Sequence, residues 1–136
     1  MVRRGDYVYI RNAHPRLPQI CGLDASTGET LRVLERTAAT EETLLHNGVL
    51  YLMTNDKPNK YPETTRFGGN DWRGQKKWIR AVDPETGGHL WDHETPVAPL
   101  SFAVTNRGVF FHDGKQIWCL GRLHRAADRS RQDLYT

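Results

Sequence analysis

The chain lacks most of the features that announce an enzyme or a membrane protein. No apolar run approaches the ~20 residues a transmembrane helix needs. After Met1-Val2-Arg3-Arg4 there is no apolar core of a signal peptide, which leaves a cytoplasmic protein or a start that lies further upstream. Cysteine is scarce: Cys21 and Cys119 lie far apart with no Cys-x-x-Cys spacing, which favours free buried thiols. There is no Gly-x-Ser-x-Gly elbow to place a nucleophile. Helical periodicity is almost absent, and only Leu123 to Leu134 offers room for a helical turn or two.

What remains fits one modest globular unit. The 136 residues are 38% apolar and 26% charged, enough for a core and too mixed for a disordered tail. The net charge of +3 is ordinary for a soluble domain and points to no specific nucleic-acid partner.

The informative feature is a repeat. Ile20-Cys21-Gly22-Leu23-Asp24-Ala25-Ser26-Thr27-Gly28-Glu29-Thr30-Leu31-Arg32 aligns without a gap on Ile79-Arg80-Ala81-Val82-Asp83-Pro84-Glu85-Thr86-Gly87-Gly88-His89-Leu90-Trp91. A short run of β-formers ends at an aspartate, whose carboxylate can accept from backbone N–H groups two and three residues on. Gly28 and Gly87 stand where the loop needs a positive φ. The unit reads as strand, Asp-x-x-Thr-Gly turn, strand, with Asp24, Thr27, Gly28, Asp83, Thr86 and Gly87 as its turn residues.

A second piece recurs between these. Thr43-Leu44-Leu45-His46-Asn47-Gly48-Val49-Leu50-Tyr51-Leu52 reads as two strands around an Asn-Gly turn. Ser101 to Phe111 repeats it with Asn106-Arg107-Gly108 in the turn, one residue longer. Arg4 to Ile10 looks like the second half of the same hairpin. Each unit is thus a four-stranded antiparallel meander. Blade one spans 2–36 and lacks its opening strand. Blade two spans 41–95 and looks complete. Blade three spans 99–121, uses an Asp113-Gly114 hairpin and has no recognisable last strand. Residues 122–136 read as an irregular tail of the single domain 1–136.

Ala81-x-Asp83-x-x-Thr86-Gly87-x-x-x-Trp91 resembles the repeat of quinoprotein-like (PQQ-repeat) β-propellers, over roughly residues 5–120. That family includes PQQ-dependent alcohol dehydrogenases and the propeller lipoprotein of the outer-membrane assembly machinery. The resemblance implies an all-β, incomplete propeller in which Trp91 packs between neighbouring blades. It also implies the bacterial periplasm or cell surface. In the first copy Gly22 replaces the alanine and Arg32 the tryptophan, so the contact there is weakened or rebuilt. Propellers close with about 4–8 blades, so the expected partners are further blades, from the same or another chain.

Three functions follow as expectations. The first is a non-catalytic scaffold or interaction segment, with no cofactor. The second is a fragment of a PQQ- and calcium-dependent oxidoreductase whose cofactor residues lie elsewhere. The third is carbohydrate or polyanion binding through loop 56–77, where Lys60, Tyr61, Trp72 and Arg73 interleave cations with aromatics. Gly68 to Gly74 in that loop reads as a turn rather than a calcium loop. His89 and His93, four apart, should share one strand face with Asp92 and Glu94 on the other, and read as surface residues rather than metal ligands.

Overall fold

The computed structural model describes residues 2–4, 7–11, 19–55, 76–121 and 132–135, with side chains over 19–55 and 76–121. These residues form three four-stranded antiparallel sheets, each a meander of consecutive strands, and contain no helix. The first sheet holds β1 (Val2–Arg4), β2 (Tyr7–Arg11), β3 (Ile20–Asp24) and β4 (Thr30–Val33). The second holds β5 (Thr40–His46), β6 (Val49–Asn55), β7 (Lys77–Val82) and β8 (His89–Glu94). The third holds β9 (Ala103–Val104), β10 (Val109–His112), β11 (Ile117–Leu120) and β12 (Gln132–Tyr135).

Two expectations about the ends are corrected. The first sheet has its opening strand, because Val2 to Arg4 pair with Tyr9 to Tyr7. The third sheet has its last strand, with Gln132 to Tyr135 paired to Leu120 to Ile117, where an irregular or helical tail was expected. Both are short edge strands. An edge strand draws its order from its neighbour's ladder, so Val-Arg-Arg and Gln-Asp-Leu-Tyr need no strong alternation of their own. Residues 122–131 of the expected tail lie outside the described residues.

The second sheet is covered on both sides. Val49-Leu50-Tyr51-Leu52-Met53 is a continuous apolar run, as expected of a strand buried on both faces. Leu50 and Leu52 join Val82 and the first sheet's Ile20 and Leu34 in one buried cluster, with Leu45 packed against it. Tyr51 and Met53 face the other way. With Ile79, Ala81 and Trp91 they meet Val97, Phe102, Val109, Phe111 and Leu120 in a second cluster. The opening strands of successive sheets also approach one another, β1 to β5 and β5 to β9.

One turn differs from its sequence reading in a way that decides which faces correspond. Asn47 and Gly48 both have positive φ (47° and 74°), the conformation that suits a two-residue hairpin. In the third sheet Thr105 and Gly108 exchange both backbone bonds, at 2.9 and 3.2 Å, so the turn is Asn106-Arg107 alone. Gly108 belongs to the return strand. A Cβ there would stand 2.1 Å from the Leu120 carbonyl oxygen, which is why glycine occupies it. Val109 therefore corresponds to Leu50, not to Val49, and Phe111 to Leu52. A one-residue slip inverts every face assignment. With the register corrected, Leu50, Leu52 and Val82 face the first sheet, just as Val109, Phe111 and Leu120 face the second.

Candidate functional site

The motif aspartates are occupied in shaping their turns. Asp24 Oδ1 accepts from the Ser26 and Thr27 N–H groups at 2.8 and 3.1 Å and from the Ser26 hydroxyl at 2.6 Å. Those bonds, the Ser26 hydroxyl first, hold its carboxyl below the ordinary range. Asp83 Oδ1 accepts from the Glu85 N–H at 2.9 Å. In each copy the glycine N–H closes on the aspartate carbonyl at 2.8 Å. The threonine hydroxyl accepts from the N–H two residues on, at 3.2 Å from Thr27 and 3.1 Å from Thr86. Gly28 and Gly87 sit at φ 75° and 74°. The third sheet reaches a similar end differently. Asp113 Oδ1 accepts from the Lys115 and Gln116 N–H groups, and Oδ2 from the Trp118 indole at 2.8 Å. Burial raises the Asp113 carboxyl, but those three bonds outweigh it and the group lies low.

The next motif position lies between sheets. Trp91, 6% exposed, stands in the cluster that the second and third sheets share, its ring centroid 6.2 Å from that of Tyr51. Ala81, opposite it in the ladder, leaves room for the indole. In the first sheet Arg32 faces Gly22 at the equivalent position. Its Nη1 donates to the Pro84 carbonyl at 2.7 Å and to the Glu85 carbonyl. The arginine thus grips the second sheet's Asp-x-x-Thr-Gly turn, a polar contact between the two sheets.

A charged cluster lies at the same junction, and the sequence reading missed it. In β8 the register shifts: Val82 pairs with His89 and Ala81 with Trp91, so Leu90 is the extra residue of a bulge. The bulge reverses the expected alternation. His89 falls on the face of Asp92 and Arg80, and His93 on the face of Trp91. His89 Nδ1 lies 2.8 Å from Asp92 Oδ1, and Nε2 lies 2.8 Å from the Glu35 carbonyl. Arg80 Nη1 meets the same carboxylate oxygen at 3.0 Å, while Arg36 stands 3.7 Å from the other. Arg80 also donates to Thr54 Oγ1 at 2.9 Å and lies over the Trp78 ring at 5.0 Å. Burial raises the Asp92 carboxyl, but the bonds from His89 and Arg80 outweigh it and keep it ionised. With its second ring nitrogen on a backbone carbonyl, the His–Asp pair presents no base to a substrate.

The root of the long insertion is built on buried charge. Asn55 and Lys77 are ladder partners at the ends of β6 and β7. Lys77, 2% exposed, places Nζ 2.9 Å from Glu41 Oε2, and Asn55 Nδ2 donates to Glu41 Oε1 at 2.7 Å. Beside them Glu42 accepts from the Leu100 N–H at 3.3 Å, and burial pushes its carboxyl up. Lys77 and Trp78 belong to β7 rather than to the insertion. Lys60, Tyr61, Trp72, Arg73 and the Gly68 to Gly74 turn lie outside the described residues. Neither Cys21 nor Cys119 is in a disulfide; Cys119 is buried and Cys21 partly so. Among the described residues no three His, Cys, Asp or Glu side chains are grouped as a metal site. No described helix is long and apolar enough to cross a membrane.

The signal that would have exposed the charged cluster is the bulge. Its trace is an apolar Leu31 or Leu90 just before the arginine or tryptophan, breaking strict alternation after Thr-Gly. No family model and no curated protein matches this chain.

Proposed function

We propose that the chain is a run of propeller-type blades of the PQQ-repeat design, acting as a non-catalytic scaffold or interaction segment. The observation that carries this reading is the repeated stacking rule. Equivalent faces of the second and third sheets are each covered by the sheet before them, and the motif position occupied by Arg32 or Trp91 makes the contact at both junctions. The motif aspartates spend their hydrogen bonds on turn backbone. Stacking of this kind suits further blades as partners, from the same or another polypeptide.

Titration of the chain with PQQ and calcium, followed by absorbance and by dye reduction, tests the reading against a quinone enzyme. The expected result is no saturable spectral change and no turnover. A saturable quinone absorbance change accompanied by dye reduction would overturn it.

A further inference from the structure

We propose that His89 is a proton-dependent clasp between the first and second sheets, closed when its imidazole carries both protons. The argument is one of donors and acceptors. Nδ1 faces the Asp92 carboxylate and Nε2 faces the Glu35 carbonyl, each at 2.8 Å. Neither partner has a proton to give: a carbonyl oxygen only accepts, and Asp92 is ionised. A neutral imidazole has a single N–H, so it makes one of these bonds and points a lone pair at the other oxygen. Only the imidazolium makes both. The His89 side chain is 5% exposed, which leaves little water to replace Asp92 as a partner, while the bond to Glu35 lies at the surface.

The clasp joins two units that no backbone ladder connects among the described residues. Glu35 follows β4 at the exit of the first sheet, while His89 and Asp92 stand on β8 of the second. The charged groups around the ring are Asp92 on its own strand, Arg80 on β7 and Arg36 beside Glu35. Guanidinium groups keep their protons throughout the physiological range, whereas histidine is the side-chain type that exchanges a proton near neutrality. When His89 gives up a proton, the bond to Asp92 or the bond to Glu35 is lost. The junction of the first and second sheets then loosens, and the aromatic junction of the second and third does not.

Amide hydrogen exchange on the full chain between about pH 5 and about pH 8, corrected for intrinsic rates, tests this together with 15N shifts of the imidazoles. Protection around Leu34 to Thr37 should fall ~10-fold or more across that range, while protection in β10 and β11 holds. The His89 nitrogens should both read as protonated at the acid end. His89→Gln should flatten the response at the junction, and His93→Gln should leave it intact. A neutral His89 ring where the junction is protected, or an undiminished response in His89→Gln, would overturn the proposal. The 15N measurement on the unaltered chain decides the matter even if the variant does not fold.

Discussion

The two junctions of this molecule solve one packing problem with different chemistry. Between the second and third sheets the buried contact is apolar and aromatic: Tyr51, Trp91, Phe102 and Phe111, with Trp118 against them. Among the described residues its polar contacts are confined to the exposed rim, from Glu42 to the Leu100 N–H and from His46 and Asn47 to Asn106. Between the first and second, the apolar cluster formed by the residues with described side chains is aliphatic and smaller, and polar groups stand beside it. Arg32 holds the Pro84 and Glu85 carbonyls. Thr37 takes the Ile20 N–H at 2.8 Å and donates to the Leu34 carbonyl at 2.6 Å. His89 and Arg36 reach across to their partners. With arginine where the second copy has tryptophan, directed bonds stand in place of apolar area. The difference teaches that two sheets can stack with either chemistry at the same position. It also changes the sensitivity of the buried part of each joint, since burial of apolar surface is indifferent to pH and a charged contact is not.

That contrast can be broken most severely at Trp91. Trp91→Ala should cost about 3–5 kcal/mol in denaturant unfolding, and amides of β10 and β11 should lose exchange protection before those of β3. Arg32→Ala comes next, at roughly 1.5–3 kcal/mol, with the order of protection loss reversed. A smaller effect is gated by pH. Asp92 lies low in the folded chain, so its contribution is present above the ordinary carboxylate range and fades as acid protonates it. Asp92→Asn should flatten the fall in Tm between about pH 6 and about pH 3. This loss opposes the His89 clasp, which protonation closes, so acid acts on the first junction in two opposite senses. The smallest effect serves as a control: Gly28→Ala and Gly87→Ala should each cost about 1–2 kcal/mol, because their φ values match and neither meets a close clash.

The antiparallel sheets and the two motif turns were legible in the sequence because local chemistry specifies them. An aspartate with two or three N–H groups in reach and a glycine at positive φ form a turn whatever surrounds them. The edge strands β1 and β12 were not legible, since their order comes from the neighbouring ladder. The register of the third hairpin was misread because Gly108 looks like a turn glycine, whereas its constraint is the Leu120 carbonyl, a contact between strands. The His89 cluster was hidden for a related reason. A bulge at Leu90 moves His89 to the face of Asp92, and simple alternation puts those two apart. The Arg32 contact was open to reading as a substitution, but its acceptors are main-chain oxygens, which leave no mark in side-chain identity.

Every backbone ladder in the described residues joins strands adjacent in sequence, and none joins one sheet to the next. Cutting the gene within the Leu34–Ala39 or the Thr95–Phe102 connection would therefore sever side-chain contacts and a few loop bonds, leaving each ladder whole. The sheet is thus the separable unit among the described residues. Adding or removing one segment in frame would add or remove a complete hydrogen-bonded layer, and only the residues at the joints would have to change. Arg32, at the position where the second copy has Trp91, shows that such a joint accepts either chemistry.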